Sequence, residues 1–222
     1  MAKRSTAKAE ETRERILNSA LDLFRDHGFD RTTMRQIAVT AEVATGAAYY
    51  YFDSKEALVL AYYERARDEM RPRIEAALAG KKDLKTLLQA IIAAKFECFA
   101  PNRLFLGALL GHVANPSDPL SPFSAETREI RETDVRHFSD ALDASGARIP
   151  EDLRDHLPRL LWMYQMGLIL FWVYDRSEGE QRTARLFEKS LAMVVIAIRL
   201  ASVPLMRPLR RAVVELLETV SK

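Results

Sequence analysis

The chain has little of what marks secreted, membrane or disulfide-bonded proteins. Cys98 is its single cysteine, so no disulfide can form within the chain, and a reducing cytoplasm is the expected compartment. The charged N-terminus has no apolar signal-peptide segment. The longest apolar run, Leu160–Tyr174, contains Gln165 and is shorter than the roughly 20 residues that span a bilayer. We therefore expect a cytoplasmic protein with no membrane partner.

Signatures of catalysis are missing as well. The sequence has no glycine-rich phosphate loop and no serine or cysteine nucleophile motif. Its histidines are too scattered to indicate a metal site; they are His27, His112, His137 and His156. These absences predict a protein with no enzymatic activity, no cofactor and no metal. An enzyme that uses unrecognised groups is the first alternative class.

Helical periodicity is the main positive signal in the sequence. Apolar residues recur every three to four positions from Ile16 to Phe24, and Gly28 is suited to end that helix because glycine tolerates positive φ. Thr33 and Gln36 have the spacing of a capping box, in which each side chain caps the backbone of the other residue. This pair predicts the start of a second helix.

The short connection after the second helix predicts a helix-turn-helix. Glu42–Ala44 leave room only for a tight turn before a third helix over Thr45–Tyr51, so the two helices must cross steeply. At roughly 100° per residue, Ala48 and Phe52 face the protein. The opposite, outward side carries Gly46, Ala47 and Tyr50. Small residues on that side allow the backbone to approach the floor of a DNA groove.

Residues from about Glu10 to Met70 resemble the DNA-binding domain of TetR-type transcriptional regulators. The resemblance is strongest over the segment TTMRQIAVTAEVATGAAYYYFDSKEAL. It implies a base contact by Arg35 from the second helix, phosphate contacts by Thr33 and Lys55, and a recognition surface on the third helix. That surface consists of Thr45, Gly46, Ala47, Tyr49 and Tyr50. Ala44 stands where a capping serine is common, so Thr45 is the alternative cap of the third helix.

The chemistry of these residues agrees with contacts to DNA. Lys55 lies in the first turn of a fourth helix that Asp53 or Ser54 can cap, and the free backbone N–H groups there also attract phosphate. Arg35 can bond guanine O6 and N7 bidentately, which makes it the candidate for base discrimination. Tyrosine hydroxyls can donate to phosphate oxygens, although for Tyr49 a core role is an equal alternative.

The remainder of the chain is also predicted to be helical, with no plausible β-sheet. After the fourth helix over Lys55–Leu78, apolar patterns predict helices at about 84–99, 101–113, 160–175 and 181–201, a polar-faced helix ending at Gly146, a loop over Asn115–Phe123, and a last helix after Pro204. The predicted fold is all-α with two domains, which are a DNA-binding domain at 10–70, with its helix-turn-helix at about 33–52, and a ligand-binding and dimerisation domain at 71–222. Residues 1–9 are predicted to be a disordered tail.

Two of these helices are apolar on most sides, which predicts that they need partners beyond one small domain. We expect Leu160–Tyr174 and Leu186–Leu200 to pair with the same helices of a second copy, as the resemblance also implies. The alternative is that both are central helices of a monomer. Proteins with a helix-turn-helix commonly dimerise to span two half-sites. The interface candidates are Leu168, Phe171, Trp172, Val195 and Ile196.

Large aromatic and polar residues in the C-terminal domain predict a mostly apolar ligand pocket. The candidates are Phe96, Phe99, Phe105, His112, Phe123, Phe138, Trp162 and Gln165. For each of them, plain core packing is the alternative. A second alternative function is redox sensing through Cys98, although a cysteine between two phenylalanines is expected to be buried and inert.

Together these features predict a homodimeric regulator that binds double-stranded operator DNA and is released by an unknown small-molecule effector. The formal net charge is only +2 over 222 residues, so any basic surface must be local. Its expected contributors are Arg35, Lys55 and the N-terminal Lys3, Arg4 and Lys8.

Overall fold

The computed structural model of the chain describes residues 2–80, 82–113, 115 and 117–220. These residues form twelve α-helices, short 3₁₀ turns and no β-strand, which confirms the all-α prediction. The helices are α1 (Ala2–His27), α2 (Met34–Thr40), α3 (Thr45–Tyr51), α4 (Lys55–Leu78), α5 (Leu84–Phe99), α6 (Arg103–Ala108), α7 (Leu110–Val113), α8 (Arg128–Ala144), α9 (Glu151–Arg154), α10 (Leu157–Tyr174), α11 (Gln181–Ala201) and α12 (Arg207–Val220).

The chain divides into two compact units. The N-terminal unit comprises Met1–Asp68 and Phe99–Arg131, and the C-terminal unit comprises Glu69–Cys98 and Glu132–Lys222. The first division lies near the predicted boundary at residue 70. No pattern in the sequence indicated, however, that residues 99–131 fold with the N-terminal unit. The assignment of 10–70 and 71–222 to two functions stays a prediction.

Stacked aromatic rings explain why residues 99–131 belong to the N-terminal unit. The ring of Phe24 in α1 lies 5.2 Å from that of Phe105 in α6, at an interplanar angle of 17°. Tyr62 in α4 places its ring 6.1 Å from Phe105. Both phenylalanines are almost fully buried, so α6 completes the core that α1 and α4 begin.

The N-terminal tail is helical, which corrects the prediction of disorder for residues 2–9; Met1 lies outside the described residues. Helix α1 begins at Ala2, and the Thr12 hydroxyl donates to the Lys8 carbonyl at 2.9 Å. Alanine, lysine and arginine, which make up most of residues 2–9, cost little in a helix, and extending an existing helix needs no new nucleus. At the other end, Gly28 has φ +83 and ends α1, as predicted.

The core of the C-terminal unit is formed by α5, α8, α10 and α11. Its largest fully buried side chains include Leu88, Ile92, Phe138, Trp162 and Leu191. The Asp175 carboxylate after α10 accepts hydrogen bonds from the backbone N–H and hydroxyl of Thr183 at 2.8 and 2.7 Å. Further along, the Tyr164 and Ser190 hydroxyls lie 2.7 Å apart. These contacts fix α11 against α10.

Proline and loop positions refine the predicted helices. The helix predicted over 101–113 is divided at Leu109 into α6 and α7. Pro158 lies in the first turn of α10, which begins at Leu157. Backbone N–H groups in a first turn have no partner within the helix, so proline removes no hydrogen bond there. Pro72 lies inside α4, where it removes one helical hydrogen bond. The described residues of the predicted loop at 115–123 are not helical.

Helix α12 is amphipathic, and Arg210 joins it to other parts of the C-terminal unit. Arg210 donates from Nε to the Asp152 carboxylate at 2.8 Å and from Nη1 to the Ala201 carbonyl at 2.7 Å. Leu209 and Leu216 on this helix are exposed.

In the part of the chain that the structure describes, no single helix is both long and apolar enough to cross a membrane. One pair of helical segments is long and apolar enough only when taken together, and it is bent by 94° at the break; the segments are Glu178–Ala201 and Pro204–Thr219.

Candidate functional site

The helix-turn-helix begins with the predicted capping box. The Thr33 backbone N–H donates to the Gln36 side-chain oxygen at 2.8 Å, and the Gln36 backbone N–H donates to the Thr33 hydroxyl at 3.3 Å. Two N–H groups at the start of α2 are thereby satisfied. Met34, Ile37 and Ala38 are buried, as the periodicity predicted.

Helix α3 begins without a side-chain cap. Ala44 is its N-cap residue, and the Ala44 carbonyl accepts the backbone N–H groups of Ala47 and Ala48 at 2.9 and 3.1 Å. Thr45 is the first helical residue, so the expectation that it would cap α3 is wrong. The tight turn before α3 instead depends on Glu42, whose φ of 54 places it in the left-handed region.

The two sides of α3 are arranged as predicted. Ala48 and Phe52 are buried against the N-terminal unit, whereas Gly46 and Tyr50 are exposed. Tyr50 is 84% exposed and Tyr49 is 52% exposed. This exposure disfavours the core role that was the alternative for Tyr49. Thr45 is exposed and Ala47 is half-buried.

Helix α2 adds two exposed residues to the same region. Arg35 and Thr33 are both exposed. Among the described residues, Arg35 forms no hydrogen bond or ion pair, so its guanidinium is not held by the protein. Val39, one turn beyond Arg35, is 71% exposed. Val39 was not predicted from the sequence, although it lies four residues after Arg35 and therefore on the same face of α2.

Lys55 has an intramolecular role that the sequence did not reveal. Its ammonium nitrogen lies 2.7 Å from the Phe29 carbonyl and 3.3 Å from the Asp30 carbonyl, and 4.5 Å from the centre of the Phe29 ring. These contacts tie the start of α4 to the segment after α1. Ser54, rather than Asp53, caps α4, because its hydroxyl accepts the Ala57 N–H at 3.1 Å. A phosphate contact by Lys55 stays a prediction.

The predicted pocket residues are divided between the two units. Phe99, Phe105, His112 and Phe123 lie in the N-terminal unit, and Phe96, Phe138, Trp162 and Gln165 lie in the C-terminal unit. Phe105 is a core residue of the N-terminal unit, because its ring packs on Phe24 and Tyr62. The His112 Nδ1 lies 2.7 Å from an Asp118 carboxylate oxygen, and this hydrogen bond lowers the pKa of Asp118. Phe105 is thus packed in a core and His112 has a protein partner, and a ligand contact by either residue stays a prediction.

The interior of the C-terminal unit contains an unusual glutamine. Gln165 is 1% exposed, and among the described residues neither its side-chain oxygen nor its side-chain nitrogen has a hydrogen-bond partner. Phe138 and Trp162 are also buried in this unit. Phe96 is half-buried, with its ring 5.2 Å from Trp172 and 6.0 Å from Phe187.

The C-terminal unit also has a surface cavity that the sequence did not predict. It has a volume of about 240 Å³. Its lining residues come from α11 and from the segments before α5 and after α8; they are Asp83, Leu84, Ser145, Ala147, Arg148, Ile198, Arg199 and Ser202. None of the predicted pocket residues contributes to this cavity.

The predicted interface residues divide into buried and exposed ones. Leu168, Trp172 and Val195 are buried inside the C-terminal unit, so they are corrected from interface to core positions. Phe171 and Ile196 are 41% and 54% exposed and stay candidates. Further large apolar side chains are exposed on α10 and α11: Met163, Leu170, Tyr174, Leu186, Met193 and Leu200.

Cys98 lies in a place that disfavours thiolate formation. It is half-buried, and its sulfur lies 3.7 Å from a Glu69 carboxylate oxygen. Burial and the Glu69 charge raise the pKa of the Cys98 thiol. Because the thiolate is the reactive form, this environment gives no support to redox sensing.

Two protein-family descriptions match the chain. "Bacterial regulatory proteins, tetR family" matches residues 16–62, which contain α2, the turn and α3. "Tetracyclin repressor-like, C-terminal domain" matches residues 87–216, which is more than half of the chain. The two matches together extend from α1 into α12.

Individual proteins show the same likeness. The uncharacterized HTH-type transcriptional regulator YerO of Bacillus subtilis is 39% identical over 103 residues, which are 45% of this chain and 35% of YerO. The HTH-type transcriptional regulator UidR of Escherichia coli is 28% identical over 49% of this chain and 55% of UidR. The chain thus spans about a third to a half of the length of these curated relatives.

A solved structure extends the likeness to the fold of both units. Thermus thermophilus FadR, a TetR family transcriptional repressor crystallised with lauroyl-CoA, is 25% identical with a TM-score of 0.57. The match covers 79% of this chain and 92% of that one.

Proposed function

The chain belongs to the TetR family of bacterial regulatory proteins, and we propose that it is a repressor that binds a palindromic DNA operator as a homodimer and is released by a small molecule. The observation that carries this proposal is the outward surface of α3. On that surface two exposed tyrosines stand beside residues with little or no side chain.

The outward surface of α3 suits a DNA groove. A Cβ added at Gly46 would meet no atom within 4 Å, so the backbone there faces open space. Thr45, Gly46 and Ala47 therefore let α3 approach base edges closely. Tyr49 and Tyr50 extend from the same helix, and their hydroxyls can donate to phosphate oxygens while the rings pack on sugars.

Arg35 and Val39 supply base discrimination in this proposal. Both are exposed on α2, one helical turn apart. The guanidinium of Arg35 can bond guanine bidentately, and the methyl groups of Val39 can contact the methyl group of thymine. Thr33 and Lys55 contact phosphates. The Lys55 ammonium has three N–H donors, so it can bond a phosphate in addition to the Phe29 and Asp30 carbonyls.

The exposed apolar face of α10 and α11 supports a homodimer. On α10 the exposed side chains Met163, Leu170 and Tyr174 recur at helical spacing, and on α11 Met193 and Ile196 do the same. Large apolar patches of this kind on a folded chain mark interaction surfaces. In the dimer, α10 and α11 of one protomer pack on the same helices of its partner.

A small-molecule effector is favoured by the division of the chain into two units. FadR, which was crystallised with lauroyl-CoA, shares the fold. Helix α4 starts in the N-terminal unit and ends in the C-terminal unit, and Pro72 weakens it just after the boundary. An effector in the C-terminal unit shifts α4 and so changes the separation of the two α3 helices. Half-sites one helical turn apart require about 34–36 Å, so a small shift removes one set of contacts.

Selection from a random duplex library tests the proposal. The protein should enrich a two-fold symmetric sequence whose half-site centres are one helical turn, or a multiple of it, apart. Each duplex should bind an even number of protomers, and affinity should fall steeply with salt concentration. The matched control is the same duplex with one half-site scrambled, which should bind much more weakly. Enrichment of no sequence, or of an asymmetric single site, would contradict the proposal.

A further inference from the structure

Gln165 is a buried polar side chain of the C-terminal unit with no hydrogen bond from the described residues to account for it. It is 1% exposed, and no described residue bonds either its oxygen or its nitrogen. The residues one turn away on the same side of α10 are all buried and apolar; they are Leu161, Trp162, Leu168 and Ile169. A leucine or methionine would fill such a position without the cost of desolvating an amide.

A partner for Gln165 must both donate and accept hydrogen bonds. The glutamine side chain has an NH₂ group that donates and a carbonyl oxygen that accepts. A carboxamide or a lactam matches this pair with two parallel hydrogen bonds. The hydroxyl of an alcohol or a phenol can donate to the glutamine oxygen or accept from the glutamine NH₂ group. The apolar neighbours of Gln165 require that the rest of such a molecule be apolar.

The charges in this unit favour an uncharged partner. The charged side chains buried in the described part of the C-terminal unit are Lys95, Asp134 and Asp175. The Lys95 ammonium donates to both oxygens of Asp134 at 2.9 and 2.7 Å, so these two charges neutralise each other. Asp175 accepts hydrogen bonds from Ser177 and Thr183. A charged head group would therefore find no unpaired opposite charge among the buried side chains of this described part.

His137 is another polar side chain of the C-terminal unit with a buried ring nitrogen. Its Nδ1 is buried and has no partner among the described residues. Burial, the largest cause, lowers the pKa of His137 and so favours the neutral imidazole over the charged one.

We propose that Gln165 binds the head group of the effector, and that this effector is a mainly apolar, uncharged molecule with a carboxamide, lactam or hydroxyl group. This inference rests on the proposed function, because it names the chemistry of the effector. A neutral effector of this kind differs from fatty acids and other carboxylates, whose head groups would remain charged.

The stability of the ligand-free protein gives the first test. Gln165→Met replaces an unpartnered buried amide by an apolar side chain of similar size, so the melting temperature should rise by about 2–4 °C. The matched control is Gln89→Met, the same change at an exposed position of α5, which should leave the melting temperature unchanged. A lower melting temperature for Gln165→Met would show that the amide is satisfied within the folded protein, and would overturn the proposal.

Ligand-observed NMR with matched probes gives the second test. The probes are octanamide against octanoate, and 1-naphthaleneacetamide against 1-naphthaleneacetate. In at least one pair, the amide should bind the wild-type protein about 10-fold more tightly than the acid, and Gln165→Met should remove this preference. Equal affinities within both pairs, tighter binding of the acids, or no binding of any probe at about 1 mM would each overturn the inference.

The two proposals fail in different ways. Without sequence-selective duplex binding by the wild-type protein, the proposed function fails, whatever the probes show. If duplex binding is intact and Gln165→Met lowers the melting temperature or keeps the amide preference, only the inference about Gln165 fails.

Discussion

The helix-turn-helix and the α10–α11 pair differ in how far a single chain provides hydrogen-bond partners for its polar groups and covers its apolar side chains. Around α2 and α3, Thr33 and Gln36 cap each other, and Lys55 bonds the Phe29 carbonyl. Around α10 and α11, Gln165 is buried without a hydrogen-bond partner among the described residues, and large apolar residues such as Met193 are exposed.

This difference indicates what each region binds. A surface that contacts DNA must keep its shape before binding, and local hydrogen bonds within one chain suffice for that. Its exposed groups are compatible with water and with phosphate alike. An exposed apolar face and an unpartnered amide become stable only when other molecules cover them, namely a second protomer and an effector in our proposal.

The largest expected effect comes from two neighbouring residues of α11. Val195 is 4% exposed and Ile196 is 54% exposed. Val195→Glu should reduce the free energy of unfolding by about 3–5 kcal/mol, because it buries an unpaired carboxylate, and little folded protein should remain. Ile196→Glu should leave the fold intact but give a monomer that binds operator weakly. Circular dichroism and analytical ultracentrifugation measure the two outcomes.

The two variants distinguish a position in the core of the protomer from a position on its outer face. A folded dimer for Ile196→Glu would remove this face from the interface. A stable, folded Val195→Glu protein would instead show that the distinction between the two neighbouring positions is wrong.

An intermediate effect is expected at the DNA surface. Arg35→Ala should reduce the preference for one base pair by about 1–3 kcal/mol, because a bidentate contact is lost, and Arg35→Lys should recover affinity but not preference. Tyr50→Ala should weaken binding to all duplexes by similar factors, since we assign Tyr50 to phosphate. Titrations against single-base variants of the selected operator distinguish the two patterns. An unchanged preference profile for Arg35→Ala would remove its base contact.

The smallest effect concerns the helix caps. Ala44 has φ −65 and ψ 145, the conformation of an N-cap residue, but lacks a side chain that accepts a hydrogen bond. Ala44→Ser should therefore stabilise the protein by about 0.5–1 kcal/mol, and Thr33→Ala should destabilise it by about 1 kcal/mol. Chemical denaturation measures both changes. If Ala44→Ser has no effect, the uncapped start of α3 carries no energetic cost.

Local signals were predicted well because they depend on residues close in sequence. The capping box of Thr33 and Gln36, the end of α1 at Gly28 and the extent of α4 all agree with the structure. Each depends on hydrogen bonds within one or two turns. The helical tail at 2–9 was missed because composition alone does not show whether a helix extends into a polar segment.

The orientation of α10 could not be predicted for a different reason. A helix that is apolar all round has no preferred side in its sequence. Leu168 and Trp172 are buried and Phe171 is exposed, although all three are large and apolar. Only the helices packed against α10 decide which side faces outward.

The sequence by itself determined the all-α fold, the helix-turn-helix and the outward side of α3, since amphipathic periodicity and capping act over a few residues. The tertiary structure alone decided that α6 packs on α1, that Lys55 bonds the segment after α1, and that Gln165 is buried where no described residue bonds it. These features join residues far apart in sequence, and their energies depend on which surfaces the folded chain brings together.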